Sequence, residues 1–336
     1  MRSQVTIDLG ALRANVRRLV EAASGAEVWA VVKADGYGHG AFDCADAALA
    51  SGATALCAAT VGEALELLPL AARTIVLGPV ANREIAQARE AGLELVVGDG
   101  EIPEAVRVHV KLDTGMGRWG IAELPSPTRE VVGVMTHLAT ADSDPEFARL
   151  QLERFRAATE PVAQLTRHAA NSAAALRIPE SRLDAVRCGV ALYGLSPFQA
   201  DPGDDGLVPV LSWESEVTQC KLLQPGDSSG YGRRFLAERE TWIGIVPVGY
   251  GDGFRRGLSG TEVLVDGVRR TVVGTISMDA LAVELEDEVP RGTRVTLVGG
   301  DLLIEEHARR LGTINYELTC GVVTRPQRAR RVVLDS

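Results

Sequence analysis

Val28-Trp29-Ala30-Val31-Val32-Lys33-Ala34-Asp35-Gly36-Tyr37-Gly38-His39-Gly40 decides how the chain is read. An apolar run delivers a lysine at its end and then breaks into glycines. This is the pattern of a buried strand ending in a loop, where polar groups are held on a rigid edge. The chain has 35 basic residues, yet only Lys33, Lys111 and Lys221 are lysines. Lysine can lose its proton or form a Schiff base, and arginine can do neither. A solvated residue closing a strand has no need to remain lysine in such a chain, so the scarcity points to chemistry at Lys33.

Outward from this stretch, apolar strands and amphipathic helices alternate. A short strand, Val5 to Leu9, precedes a helical segment, Gly10 to Ala23, with Leu12, Val16, Leu19 and Val20 on one face. After Lys33 the pattern predicts helices Ala41 to Ala50, Val61–Leu68 and Asn82–Ala91, alternating with strands Ala53–Ala58, Thr74–Leu77 and Leu93–Val97. Gly52, Pro69 and Gly92 end those helices. Strands Val106–Leu112 and Val131–Thr136 follow short, proline-containing connections. The long helix Pro145–Glu160 then leads to strands near Leu165–His168 and Ala185–Val186.

Eight strand candidates between Val28 and Val190, most with helices between them, predict an α/β fold. The repeat favours a (β/α)8 TIM-type barrel over residues 1–207, two of its outer helices truncated. Its opening strand is free to pair with the second domain. Past Gly206 come the β-rich runs Leu211–Val217, Trp242–Val248, Glu262–Val265, Thr271–Val273, Ala280–Leu285 and Arg294–Val298, with one helix, Ile304–Arg310. They predict a mostly β C-terminal domain over residues 208–336.

A chain of 336 residues that is 46% hydrophobic and 24% charged is ordinary for a globular protein. The formal charge of −10 argues against nucleic acid or an anionic membrane as the main partner. The residues Met1 to Asp8 contain no apolar signal core, and no later run is long enough to span a bilayer. The five cysteines are widely spaced, without CxxC or Cys/His ligand spacing, which predicts reduced thiols, a cytoplasmic protein and no metal.

If the fold is a barrel, chemistry belongs at the carboxyl ends of its strands. Lys33 sits there, as do Lys111-Leu112-Asp113-Thr114-Gly115-Met116-Gly117-Arg118, Thr136-His137, His168-Ala169-Ala170-Asn171-Ser172 and Arg187-Cys188-Gly189-Val190. His137 or His168 alone would be read as a core histidine. Polar clusters on five strand ends are harder to call structural. Gly115-Met116-Gly117-Arg118-Trp119-Gly120 matches GxGxxG, but Pro125 leaves no room for the helix that a dinucleotide site requires.

Barrels commonly hold a phosphate in their last strand-end loops, here Asn171-Ser172 and Arg187–Val190. A Schiff-base lysine on the first strand and a phosphate cradle on the last two suggest pyridoxal 5′-phosphate (PLP). Val32–Gly40 then resembles the PLP-lysine signature of the alanine racemases. Lys111–Gly120, Thr136–Asp142, His168–Ser172, Arg187–Gly194 and Val273–Asp279 resemble further blocks of that family, in order from near Val5 to Arg330.

The resemblance implies a PLP-dependent racemase interconverting L- and D-alanine, usually to supply D-alanine for cell-wall precursors. It also implies a homodimer with shared active sites. Two bases on opposite faces of Cα meet the need of a racemase. By resemblance these are Lys33, which carries the cofactor and serves the D-alanine face, and Tyr231 of the partner subunit, for L-alanine. A free phenol titrates near pKa ~10, so Tyr231 needs a supporting environment. His137, Arg187 and His168 resemble the hydrogen-bonded chain that supplies it. Arg187 matches the partner of the pyridine nitrogen, and as a permanent donor it would keep that nitrogen unprotonated. The ring is then a weaker electron sink, which restrains transamination.

Tyr37, Ser172, Gly189, Val190 and Tyr316 match phosphate-binding positions, and the resemblance implies that His137 and Asn171 also bind the cofactor. Arg118 and the Met278 N–H match groups that bind the substrate carboxylate. Lys111 matches a lysine that is often carbamylated to hold the following arginine, here Arg118. Asp142 and Tyr250 match the narrow entrance, beside Asp279. Thr275 departs from the arginine often found at its position, which leaves substrate breadth open to serine. A non-catalytic PLP-binding protein is the alternative of a different class. Lys221 has no counterpart and reads as surface.

Overall fold

The structure, a computed structural model, describes residues 2–335. It divides into two compact units, Ala11–Val208 and the N-terminal residues through Gly10 joined by Pro209 onward. Strand β1 (Ser3–Asp8) therefore lies in the second unit. Ser3, Val5 and Ile7 are buried in alternation, as one face of a strand requires. β1 runs antiparallel to Leu211–Glu216 and parallel to Arg330–Leu334.

Within Ala11–Val208, eight parallel strands close a barrel among the described residues: β2 (Glu27–Val31), β3 (Ala55–Ala58), β4 (Thr74–Val76), β5 (Glu94–Val97), β6 (Val108–Lys111), β7 (Val131–Met135), β8 (Thr166–His168) and β9 (Ala185–Cys188). β9 returns to β2, with Arg187 opposite Trp29. The period of two sorts their side chains. Trp29, Val31, Cys57, Ile75, Val96 and Met135 pack together inside the barrel. Leu95, Val108, Val110, Leu112 and Val134 pack outward with Leu152 and Phe155 of the helix Pro145–Thr159.

The helices Ala41–Leu49, Val61–Glu66, Asn82–Glu90 and Pro145–Thr159 fall where the sequence places them, give or take a turn. Among the described residues no helix follows β5 or β6, so the two truncations are complete losses. The gap in helical cover lies on one flank, between residues 98 and 130.

Asn15, on the helix Leu9–Ala23, is fully buried. Its amide donates to the carbonyls of Leu192 and Val208 and accepts from the Val208 N–H, at 3.1, 2.8 and 2.8 Å. Asn15→Ala would strand three backbone groups without water. Denaturant unfolding should show a loss of about 2–4 kcal/mol, and a change below about 0.5 kcal/mol would refute this role.

In the second unit, the described residues form a nine-stranded sheet with β1 near one edge. The β-rich runs read from the sequence are strands of this sheet. Two edge strands escaped that reading. Gln219–Leu223 is mostly exposed and Arg330–Leu334 is charged and half-buried, so neither shows an alternating pattern. A second helix, Asn315–Cys320, follows Ile304–Leu311 and is only six residues long. No helix among the described residues is long and apolar enough to cross a membrane.

Candidate active site

β2 ends at Val31, and the chain then does something the glycines alone do not announce. Ala34, Asp35, Gly36, Tyr37 and Gly38 all have positive φ, from 52° to 84°, making one left-handed turn directly after Lys33. Such a run is costly for side-chain-bearing residues and persists only where the surroundings over-determine it. They do so here. Glu63 accepts from the Ala34 N–H at 2.9 Å and from the Ala59 N–H at 2.7 Å. The Asp35 carboxylate accepts from Ala41 N–H at 2.8 Å, and His39 Nδ1 lies 3.0 Å from the Gly36 and Tyr37 carbonyls. The turn fixes Lys33 at the barrel mouth and lays the Tyr37 ring against Tyr193, centroids 5.2 Å apart.

Tyr37 reaches the end of β9. A Cβ on Gly189 would stand 2.5 Å from the Tyr37 hydroxyl, so only glycine lets ring and backbone meet. The Ser172 hydroxyl accepts from the N–H groups of Gly189 and Ala191 at 3.0 and 3.4 Å. Its own proton remains to be donated. Asn171 accepts from Ala174 N–H at 3.0 Å and orders the start of Ser172–Arg177. Tyr37, Ser172, Gly189 and the adjoining Val190 thus gather in one place.

Arg187 is buried inside the barrel. Its Nη1 donates to His168 Nδ1 at 2.8 Å and to the His168 carbonyl at 3.0 Å. Its Nη2 donates to the carbonyls of Thr136 and Ala169 at 2.8 and 3.1 Å, with His137 Nδ1 at 3.3 Å. Among the described residues the Nε–H has no protein partner. Burial lowers the Arg187 pKa to about 10, which still leaves it charged at neutral pH. Burial, reinforced by Arg187, holds His137 and His168 well below the ordinary histidine range, so both are neutral.

Lys111 is buried at the end of β6, its Nζ 5.6 Å from the Trp119 ring centre. Burial, with Arg118 and Arg187 nearby, lowers its pKa to about 8. Arg118 lies over the same indole, 5.3 Å from its centre, and is exposed. The glycine-rich loop between them is not a phosphate loop: the Asp113 carboxylate already accepts from the N–H groups of Gly115, Met116 and Gly117 at 3.0, 2.9 and 3.1 Å. A cavity of about 250 Å³, lined by Leu77, Ile85, Val97, Ile102, Lys111 and Trp119, opens beside it on the helix-free flank. Asp142 is exposed on the loop after β7.

The remaining sequence candidates lie in the second unit. Tyr231 is 73% exposed, and Tyr250 and Met278 are also exposed. Thr275 is buried beneath Tyr231, its hydroxyl donating to the Tyr231 carbonyl at 2.9 Å. The loops carrying Tyr250 and Met278 are tied together: Tyr250 N–H donates to the Ser277 carbonyl and Gly251 N–H to that of Met278, at 3.1 and 2.9 Å. Asp252 and Asp279 clamp them through Arg2 and Arg328. Tyr316 sits half-buried on Asn315–Cys320.

Sequence reading missed Glu63 and the pair His109 and Glu94, and it took Thr275 for part of the entrance, not for the support of Tyr231. His109 was legible in principle. It lies two residues before Lys111 in an alternating strand, hence on the same interior face.

A parallel barrel with a lysine on a strained turn at its mouth and a buried arginine inside it, in a chain that continues into a β sheet, defines the class of lysine-centred barrel enzymes with a β-rich C-terminal unit. Comparison with known proteins narrows this. Residues 7–197 match the family model "Alanine racemase, N-terminal domain", and residues 210–330 match "Alanine racemase, C-terminal domain". The chain is 40% identical over 355 residues to alanine racemase 1 of Bacillus subtilis, covering 96% of this chain and 91% of that protein. It is 37% identical to the alanine racemase of Geobacillus stearothermophilus, covering 96% and 92%. Among solved structures, the alanine racemase from D-cycloserine-producing Streptomyces lavendulae superposes with a TM-score of 0.93 at 33% identity, covering 100% of this chain and 98% of that one. The biosynthetic alanine racemase of Pseudomonas aeruginosa gives 0.90 at 34%, with full coverage of both. The chain belongs to the alanine racemase family.

Proposed function

We propose that this protein is a PLP-dependent alanine racemase working as a cytoplasmic homodimer, its product serving cell-wall precursor synthesis. The observation that carries the reading is Arg187, a buried cation whose Nη groups are engaged by acceptors and whose Nε–H has no protein partner among the described residues. That donor fits an unprotonated pyridine nitrogen. The Ser172 hydroxyl, accepting from Gly189 N–H and keeping its own proton to donate, lies where glycine lets the Tyr37 hydroxyl meet the end of β9, which fits the phosphate. Lys33 would hold the aldehyde carbon of the cofactor, Arg187 its ring nitrogen, and Tyr37, Ser172, Tyr316 and the N–H groups of Gly189 and Val190 its phosphate. His137 and Asn171 would line it.

The chemistry that PLP supplies when bound is electron withdrawal from the substrate Cα, which makes its hydrogen acidic. The protein must then place one base on each face. Lys33 takes or returns the proton on the D-alanine face, and Tyr231 of the partner subunit does so on the L-alanine face. The exposure of Tyr231, Tyr250 and Met278 supports their completing a site in another subunit. Neutral His137 accepts from Arg187 at Nδ1, so its proton is on Nε2, available to donate to a phenolate oxygen. Arg118 and the Met278 N–H orient the substrate carboxylate. Lys111 makes no hydrogen bond through Nζ among the described residues and stands near another cation. Carbamylation would turn that repulsion into an ion pair with Arg118.

Asp142 and Tyr250 narrow the entrance, and Thr275, where an arginine is often found in the family, leaves a smaller side chain beside it. Alanine is therefore separated from serine by measurement. Steady-state polarimetry with all four enantiomers should give a higher kcat/KM for alanine, and a higher value for serine would replace the alanine reading.

A further inference from the structure

His109 and Glu94 continue the Arg187–His168 contact through the barrel interior. His168 Nε2 lies 2.9 Å from His109 Nδ1, and His109 Nε2 lies 2.9 Å from Glu94 Oε2. Glu94 is the first residue of β5, at the opposite end of the barrel from Lys33, and it meets Arg73 at 2.9 Å and Arg107 at 3.3 Å. The row passes over β7 at Gly133. A Cβ there would stand 2.2 Å from His109 Nδ1, so the ring can cross to β8 only because that residue is glycine. Trp29 packs on both imidazoles, 5.6 and 4.5 Å between ring centres. All of these side chains except Arg73 and Arg107 are buried.

With a donor-only guanidinium at one end and the acceptor-only Glu94 carboxylate at the other, the protons in this row have one arrangement. Arg187 can only donate, so His168 Nδ1 accepts and the His168 proton is on Nε2. That N–H points to His109 Nδ1, which must accept, so the His109 proton is on Nε2 and faces the Glu94 carboxylate. A doubly protonated His109 would leave His168 facing donors on both sides with no proton of its own. The His109–Glu94 contact is therefore a neutral imidazole donating to a carboxylate, although its distance alone would pass for an ion pair. Burial lowers the His109 pKa in the same sense.

We propose that Glu94 is a positioning residue for Arg187, acting through His109 and His168 by locking both imidazoles in the Nε2–H tautomer. The other His168 tautomer would set its Nδ1–H against a guanidinium N–H and push Arg187 out of place. Glu94 thereby holds the Arg187 Nε–H in one direction from the far end of the barrel. Resting on the proposed function for its last step only, this makes Glu94 a determinant of how strictly the enzyme avoids transamination.

Solid-state NMR of the 15N-histidine-labelled holoprotein reads the lock directly, because the chain has only five histidines. His109 and His168 should each show a protonated Nε2 and a bare Nδ1, unchanged from about one unit below to two units above the ordinary histidine pKa of ~6.5. Glu94→Gln keeps an acceptor oxygen and should retain both tautomers. Glu94→Leu removes it and should mix them. With that mixing, kcat should fall about 10- to 100-fold, the pyruvate formed per racemisation should rise, and the absorbance of bound PLP should become pH-sensitive. An Nδ1–H or doubly protonated His109 in the wild type would overturn the proposal, as would unchanged tautomers or an unchanged pyruvate ratio in Glu94→Leu. Should the protein fail to racemise alanine, the imidazole signals alone still decide the lock.

Discussion

Lys33→Ala is expected to lower racemisation by at least about 10⁴-fold, combining the loss of a positioned base with loss of the covalent anchor. Lys33→Arg should fail as badly, since it restores the charge but neither function. The measurement that separates chemistry from folding is borohydride reduction of the holoprotein followed by peptide mass spectrometry. In the wild type the cofactor should be fixed to the peptide containing Lys33, and in both variants it should be fixed nowhere. The left-handed turn after Lys33 is held by backbone contacts of Glu63, Asp35 and His39, none of which involve the lysine side chain. The variants should therefore melt close to the wild type. Attachment at Lys111 instead would reassign the site.

Tyr231→Phe should cost about 10²–10⁴-fold in racemisation, but with a signature that Lys33→Ala cannot show. In deuterated water the variant should still exchange the Cα hydrogen of D-alanine, with retention, because Lys33 remains on that face. Exchange from L-alanine should be lost. Thr275 offers a control. Its hydroxyl holds the Tyr231 carbonyl, so Thr275→Val should displace the phenol and weaken L-alanine exchange while leaving D-alanine exchange intact. Equal loss of exchange from both enantiomers in Tyr231→Phe would mean that Tyr231 is not a base for one face.

Much of this molecule is legible in its sequence because barrel strands advertise themselves. Val28–Val32 is buried on both sides and reads as a continuous apolar run, and the helices between the strands carry clear terminators. The site is legible where a residue type is out of place: a lysine in an arginine-rich chain, or a histidine at a strand end. What stayed hidden depends on three-dimensional closure. Ala34, Asp35 and Tyr37 give no local sign of positive φ, since the turn is imposed by Glu63 from the next strand–helix connection. Gly133 reads as a weak point in an apolar strand. Its purpose shows only when His109 is seen lying across it. Glu94 opens a strand like any solvated residue, and becomes a buried anion only because β6 and β4 bring His109 and Arg73 to it. Hydrogen bonds from those two outweigh the cost of burial and lower its pKa to about 2. The edge strands Gln219–Leu223 and Arg330–Leu334 lack a pattern for the opposite reason, being too exposed to need one.

The proposal that two subunits each bring one base to a shared site is tested most directly by mixing. Lys33→Ala and Tyr231→Phe proteins, each inactive alone, are combined after their dimers have been dissociated and reassembled. If Lys33 of one chain works with Tyr231 of the other, about half of the dimers are mixed and each holds one intact site, so about a quarter of wild-type activity should return. No recovery, with mixed dimers demonstrated by mass spectrometry of differently tagged chains, would contradict a site shared between subunits.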